Sequence, residues 1–428
     1  MARPVICDGL RLYLGISSAT PRGVNRVDHV YGRYFVENWP GECCGVLPTP
    51  WGVRLYDRDL SRRMLAYVQN IWRENLPAGI DPAFSYFQDR LLNGSTTMQQ
   101  GETRRRRHIV ATIPRFVREF GLHLGRSVVR AAPRNAIYLN VGQVCWASPI
   151  TTRWLHRRPD IRAVFMLHDV IPLERPELVS RASRMEMDWM LRTVIERAAG
   201  LLTTTEAASD AVIALLRQRG LPDIPVCALH LPVDDVFLRP DPPDRALHQH
   251  SYFLACGAIE RRKNLLLLLK VWERLVERFG PATPKLVLAG TMEMDGEPIQ
   301  QHIMQSEALR RHVIVVSGLG SPSLRQIMAN ARALLMPSLA EGFGLPVVEA
   351  FAVGLPVLAS DIPALREVGG DLALYIDPMD EAGWFDAVAG LIDDPEQDAA
   401  LRRRLATYRP VTESDYFGRI RDFLESLD

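Results

Sequence analysis

Residues 333–360 read ALLMPSLAEGFGLPVVEAFAVGLPVLAS, and the order of apolar and turn-forming residues in them sets the fold. Residues 333–338 are an apolar run of strand length. A glycine-containing loop follows. Pro346 then opens a helix near 346–353, where its missing N–H costs nothing because first-turn amides have no partner within the helix. Residues 356–360 are a second apolar run. Strands apolar on both faces, joined through a helix, belong to a parallel sheet covered on each side. The same alternation runs upstream: strand 251–257, helix 264–279 with Asn264 as its cap, strand 285–290, helix near 298–309, strand 313–318 and helix near 321–330. This is a doubly wound α/β domain.

The first half carries the same alternation in weaker form. Residues 4–7 predict a first strand, and the loop 17–23 precedes a helical face of Val24, Val27, Val30, Tyr31, Tyr34 and Phe35. Strand 163–167 ends at His168-Asp169, strand 201–204 and a helix near 207–219 follow, and 226–231 completes the set. Residues 232–250 hold Pro232, Pro240, Pro242 and Pro243 among several Asp, the composition of an interdomain linker. The sequence therefore predicts an N-terminal domain over 1–240 and a C-terminal domain over 241–410, with the tail 411–428 crossing back to the first.

A chain of 428 residues suits two domains at roughly 100–200 residues each. Charged residues balance at 51 basic to 50 acidic, so no net field draws the chain to nucleic acid. The basic residues are nearly all Arg; the lysines are Lys263, Lys270 and Lys285. The six Cys form no CxxC pair, which argues against a zinc ribbon or a thioredoxin motif. No signal-peptide core and no run of about 18 apolar residues is present, so the reading is cytoplasmic with reduced thiols.

Two segments carry chemistry. In EGFGLPVVE, Glu341 and Glu349 flank a loop that lies between a strand end and a helix start. Exposed amides and the helix dipole there favour an anion such as phosphate. Glu349, about one turn into the helix, can accept from ribose hydroxyls, and Glu341 faces whatever lies beyond the phosphate. A capped helix with a solvated Glu is the plainer reading of that turn taken alone. GAIERRKN, residues 257–264, shifts the balance, because it places Arg262 and Lys263 at another strand end of the same domain. Two cations there would neutralise a diphosphate leaving group. Cations at a helix start oppose the dipole, a local conflict of the kind functional sites retain.

Together GAIERRKN and EGFGLPVVE resemble the retaining glycosyltransferases of family 4, which have the GT-B architecture of two Rossmann-like domains facing across a cleft. The resemblance covers about 251–394 and includes PVLASDIPALREVGGDLALYIDP. It implies that Arg262 and Lys263 are the diphosphate-binding pair and that Glu341 and Glu349 are the paired glutamates. Gly342, Phe343, Gly344 and Leu345 join them in donor binding. In the first half, LHDVIP at 167–172 resembles the family's strand-end His-Asp pattern, which makes His168 the active-site histidine. A lone His is more often structural; its place at a strand end reverses that. PRGVNRV at 21–27 resembles the first βα loop, with Gly23 as a donor-binding residue and Asn25 where the family usually has glycine. The implied catalytic set is His168, Glu341, Arg262 and Lys263, with no metal and no cofactor beyond a GDP- or UDP-linked sugar as co-substrate.

The expected function is retaining transfer of a hexose, mannose from GDP-mannose being favoured, to a lipid-linked glycan in surface polysaccharide assembly. A UDP-sugar enzyme with a soluble acceptor, or a nucleotide-sugar epimerase of the same architecture, are the alternatives. The base would be read by backbone atoms near 318–321. Arg104 to Arg107, then Arg115, Arg118, Arg126, Arg130 and Arg134, with Ile109, Val110, Ile113, Phe116, Val117 and Phe120 at helical spacing, predict a basic amphipathic stretch over 104–134. Such a stretch suits the inner face of an anionic membrane as well as an ordinary solvated face.

Overall fold

The computed structural model describes residues 2–15, 23–49, 51–72, 76–94, 125–143, 149–220, 224–240 and 242–427. The chain forms two compact units. The first comprises Met1–Trp72, Arg104–Leu231 and Thr412–Asp428, and the second Arg73–Thr103 and Pro232–Val411.

Strands β1 (Val5–Asp8), β2 (Cys43–Thr49), β3 (Gly52–Tyr56), β4 (Arg126–Ser127), β5 (Ile137–Asn140), β6 (Arg162–Leu167), β7 (Ala198–Thr203) and β8 (Val226–Ala228) make the first unit's sheet. Among the described residues its order is β4-β3-β2-β1-β5-β6-β7-β8. All pairs from β2 to β8 are parallel, and β3 and β4 are antiparallel additions at one edge. Ile6, Tyr138, Phe165, Leu167, Leu191, Val194 and Leu201 fill the core on this sheet.

The second sheet is wholly parallel. It contains β9 (Tyr252–Cys256), β10 (Lys285–Ala289), β11 (Val313–Val316), β12 (Leu334–Met336), β13 (Val357–Ser360) and β14 (Leu374–Ile376), in the order β11-β10-β9-β12-β13-β14. The order reverses between β9 and β12, and the loops leaving these two strands open a crevice at their carboxyl ends, where ligands of such sheets bind.

The helices include α1 (Gly23–Glu37), α2 (Pro82–Leu92), α3 (Leu265–Phe279), α4 (Ser321–Asn330), α5 (Leu345–Ala352) and α6 (Glu413–Ser426). The LLLLL run of α3 buries Leu265, Leu267, Leu268 and Leu269 with Trp272, whose indole N–H donates to Pro284 O at 2.9 Å. In the first unit α6 lies on α1. Phe417 stacks on Tyr34 with ring centres 3.9 Å apart, Tyr416 and Tyr31 share a 2.5 Å hydroxyl bond, and Arg33 pairs with Glu413.

Several expectations need correction. The chain passes between the units at 231/232, not at 240/241. Residues 232–250 are built into the second unit: Val233, Phe237 and Leu247 are buried, and Asp234 caps a short helix by accepting from Val236 N at 3.0 Å. Proline and aspartate there serve caps and turns around buried apolar residues. Residues 73–103, placed by sequence in the first domain, belong to the second unit. The helix expected near 298–309 is two helices, Glu297–Gln305 and Glu307–His312, because Ser306 stops one and caps the next.

Candidate active site

The loop after β9 reaches the crevice through a left-handed turn. Gly257 has φ +134°, and a Cβ there would sit 3.2 Å from Lys263 Cε, so the glycine gives the lysine stem room to pass. Arg261–Lys263 form one 3₁₀ turn, and Asn264 takes φ +53°. Asn264 is not a side-chain cap: its amide donates instead to Pro378 O at 2.8 Å and pins the turn to the loop after β14. Leu339 N donates to Arg262 O at 2.9 Å and ties the loops after β9 and β12 together.

Glu341 is the centre of the cluster, with 7% of its side chain exposed. Arg262 Nη1 donates to its Oε2 at 2.9 Å, Lys263 Nζ to its Oε1 at 2.5 Å and Ser338 Oγ to the same Oε1 at 2.6 Å. Arg262 also donates to Ala340 O at 2.8 Å and to Glu260 Oε1 at 2.6 Å. Burial pushes the Glu341 carboxyl up, but Lys263 and Arg262 overcome it and hold the group down at about 2. The two cations are thus matched by two carboxylates and fixed before any ligand arrives.

Beyond Glu341 the chain turns through Gly342 and the buried Phe343 to Gly344, the N-cap of α5, at φ +96°. Leu345 opens the helix with Pro346 behind it, so the first-turn amides stand beside the cation cluster. Glu349 lies one turn along, buried at 2%.

Residues 250–394 match the family model described as Glycosyl transferases group 1. They form a group 1 glycosyl transferase domain. The chain is 26% identical over 245 residues to the O-antigen chain mannosyltransferase RfbU of Salmonella typhimurium, covering 56% of this chain and 64% of that protein. It is 27% identical over 260 residues to the O-antigen chain mannosyltransferase B of Escherichia coli, covering 60% and 66%. It thus spans less than two thirds of the length of these relatives. Among solved structures, Anabaena HepE in complex with UDP-glucose superposes with a TM-score of 0.65 at 14% identity, covering 99% of this chain and 100% of that one. Sucrose-phosphate synthase from Thermosynechococcus elongatus gives 0.63 at 16%, covering 100% of both. These likenesses establish the fold as GT-B.

Within the group 1 domain the structure brings together Arg262, Lys263, Glu341, Gly342, Phe343, Gly344 and Leu345, with Glu349 on the adjoining helix. Sequence reasoning assigned no role to Ser338 or Glu260, which complete the cluster. Their signal was adjacency: one stands two residues beyond a strand end and the other two residues before Arg262.

His168 and Gly23 belong to the other unit. His168 is buried, and its Nε2 lies 2.8 Å from Val141 O. A carbonyl only accepts, so Nε2 carries the proton and Nδ1 is the accepting nitrogen. Burial, with Arg11 adding to it, pulls this imidazole down to about 4 against the pull of Val141, so it is neutral at pH 7. Gly23 is exposed at the start of α1; residues 17–22 of its loop lie outside the described residues. Asn25, where the resemblance has glycine, is buried and accepts from Arg11 Nη1 at 3.1 Å. Residues 104–124 of the Arg-rich stretch also lie outside the described residues; Arg126 lies on β4 and Arg130 in the short helix Val128–Ala131. Among the described residues no helix is long and apolar enough to cross a membrane.

Proposed function

We propose that this chain is a retaining glycosyltransferase that moves a hexose, mannose from GDP-mannose, onto a lipid-linked glycan acceptor. The observation that carries the reading is the meeting of Arg262 and Lys263, from the loop after β9, with Glu341, from the loop after β12, beside the amino end of α5. A diphosphate docked there takes N–H bonds from α5 and charge from both cations, aimed at the oxygen that gains charge as the leaving group departs. In the transfer, the bond from sugar C1 to the diphosphate oxygen breaks and its electrons go to the phosphate. The acceptor hydroxyl bonds to C1 from the same face, and its proton passes to the departing phosphate oxygen. Glu349 accepts from the ribose hydroxyls. His168, neutral with Nδ1 as acceptor, is the proposed active-site histidine of the first unit. The cation pair and helix amides supply the stabilisation that a divalent metal gives elsewhere.

Mannose is supported by relatives whose names call them mannosyltransferases. The lipid-linked acceptor is supported by the Arg run at 104–107, since each cation near an anionic surface adds about 1 kcal/mol of attraction. The test is incubation of the protein with GDP-mannose or UDP-glucose and extracted polyprenyl-linked glycan, with and without EDTA. NMR of the product reads the anomeric centre. An α-mannoside formed from GDP-mannose in EDTA is the expected result. Turnover of UDP-glucose alone moves the chain to the UDP-sugar reading, an inverted product removes retention, and no turnover of either donor sinks the proposal.

A further inference from the structure

Asp81 has no exposed surface, and both of its carboxylate oxygens are used. Oδ1 accepts from Ala83 N at 2.9 Å and caps α2. Oδ2 accepts from Gly320 N at 2.9 Å and from Ser323 Oγ at 2.6 Å, at the amino end of α4. One side chain therefore caps two helices whose residues stand far apart in sequence, and it belongs to the segment 73–103 that the second unit borrows from the first half of the chain. That segment is fixed by other contacts as well. Phe87 packs edge-on against Tyr252 with ring centres 5.6 Å apart, and Arg90 Nη2 donates to Val313 O at 3.1 Å.

The loop that Asp81 holds leaves β11 on the same carboxyl edge of the sheet as the cation cluster. Ser317, Gly318 and Leu319 are half-buried and Gly320 is buried. Gly318 has φ +80°, with open space where a Cβ would stand. A helix start normally attracts an anion, but the start of α4 already holds a carboxylate. A second negative group there meets repulsion, so this loop suits the uncharged end of the donor.

We propose that Asp81 is a positioning residue that fixes the loop 317–320 as the platform for the nucleobase of the donor. The inference rests on the donor reading given under Proposed function. Asp81→Asn is the informative change. Its oxygen keeps the cap on α2, while its NH₂ faces the Gly320 N–H, so that amide loses its acceptor.

The experiment is calorimetry on the full chain with GDP, UDP and inorganic pyrophosphate. Pyrophosphate reports the cation cluster without a base. Asp81→Asn is expected to bind the preferred nucleoside diphosphate about tenfold more weakly, the size of effect set by one unsatisfied buried amide, with pyrophosphate affinity and stoichiometry unchanged. Ser323→Ala removes one bond to Oδ2, leaves both caps, and is expected to weaken the same ligand two- to threefold, roughly the worth of a single neutral hydrogen bond. Arg90→Leu, which loosens α2 away from the loop, is expected to lower the melting temperature and leave nucleotide affinity alone. Equal losses for nucleotide and pyrophosphate, equal losses in Arg90→Leu and Asp81→Asn, or unchanged nucleotide affinity in Asp81→Asn and Ser323→Ala each overturn the assignment. Wild-type protein that binds pyrophosphate but neither nucleotide overturns it too. Wild-type protein that binds none of the three overturns the donor reading beneath it.

Discussion

Glu341 is a buried carboxylate kept ionised by Lys263 and Arg262, and this has a pH signature. Its folded value, about 2, lies below its ordinary 4.5. The charge therefore stabilises the fold fully above about pH 4.5, and that contribution drains as pH falls toward 2, about 3 kcal/mol in all. Glu341→Gln should be less stable than wild type by about that amount at pH 7, and the gap should narrow by about 1.4 kcal/mol per pH unit below 4.5. Urea midpoints at several pH values read this directly; a gap that stays constant down to pH 3.5 means the ion pairs contribute nothing. Lys263→Ala should cut turnover by a factor of about 100–1,000 with nucleotide-induced stabilisation reduced, since one positioned electrostatic contact contributes about 3–4 kcal/mol to the barrier. Turnover within threefold of wild type removes Lys263 from the chemistry. At this scale the sequence was readable where charge conflicted with a helix start, as at Arg262 and Lys263. It was silent on Asp81, an ordinary N-cap by sequence, because the second job of its carboxylate depends on a loop some 240 positions away.

Glycines separate two kinds of element. Gly344 sits at φ +96° at the start of α5, and an added Cβ would lie 2.7 Å from Leu365 Cδ2. Gly344→Ala should destabilise by about 2–4 kcal/mol, combining the left-handed strain with overpacking, and should weaken nucleotide binding because the α5 amides move. Gly418 lies inside α6, with nothing within 4 Å of an added Cβ. Gly418→Ala should instead stabilise by roughly 0.5–1 kcal/mol, the helix cost of glycine. Chemical denaturation of both variants reads the two signs, and a destabilising Gly418→Ala means α6 is held by something other than helix packing. Five strands of the second sheet, β9 to β13, were legible because each is a closed apolar run with glycine or proline beside it; β14, three residues long, went unread. The hairpin β2–β3 and strand β5 went unread. CCGVLPT contains a proline and half-buried positions, and the apolar run of IYLN is cut short by its asparagine.

At the scale of the molecule, the two units are interleaved along the chain, which no local pattern announces: the apolar face of α2 reads the same whichever sheet receives it. Ala83, Phe84, Phe87 and Leu91 are buried in the second unit. A fragment of residues 232–411 alone should therefore expose Tyr252 and leave the Gly320 amide unsatisfied. We expect it to aggregate or melt well below the intact chain, and the same fragment with residues 76–94 fused through a flexible linker to recover solubility and a cooperative transition. Equal behaviour of the two fragments means α2 adds nothing to the unit. The interleaving also dictates an order of events on the ribosome. When α2 is made, its partner strands β9 and β11 do not yet exist, and at about 5–20 residues per second it waits on the order of ten seconds or more for them. The first unit is still without α6 while the whole of the second is synthesised, so neither unit closes as its own first segment is made. A nascent chain built this way presents two unsatisfied apolar faces at once, the surface of α2 and the bed on α1 that Phe417 later fills, until the segments that cover them are made.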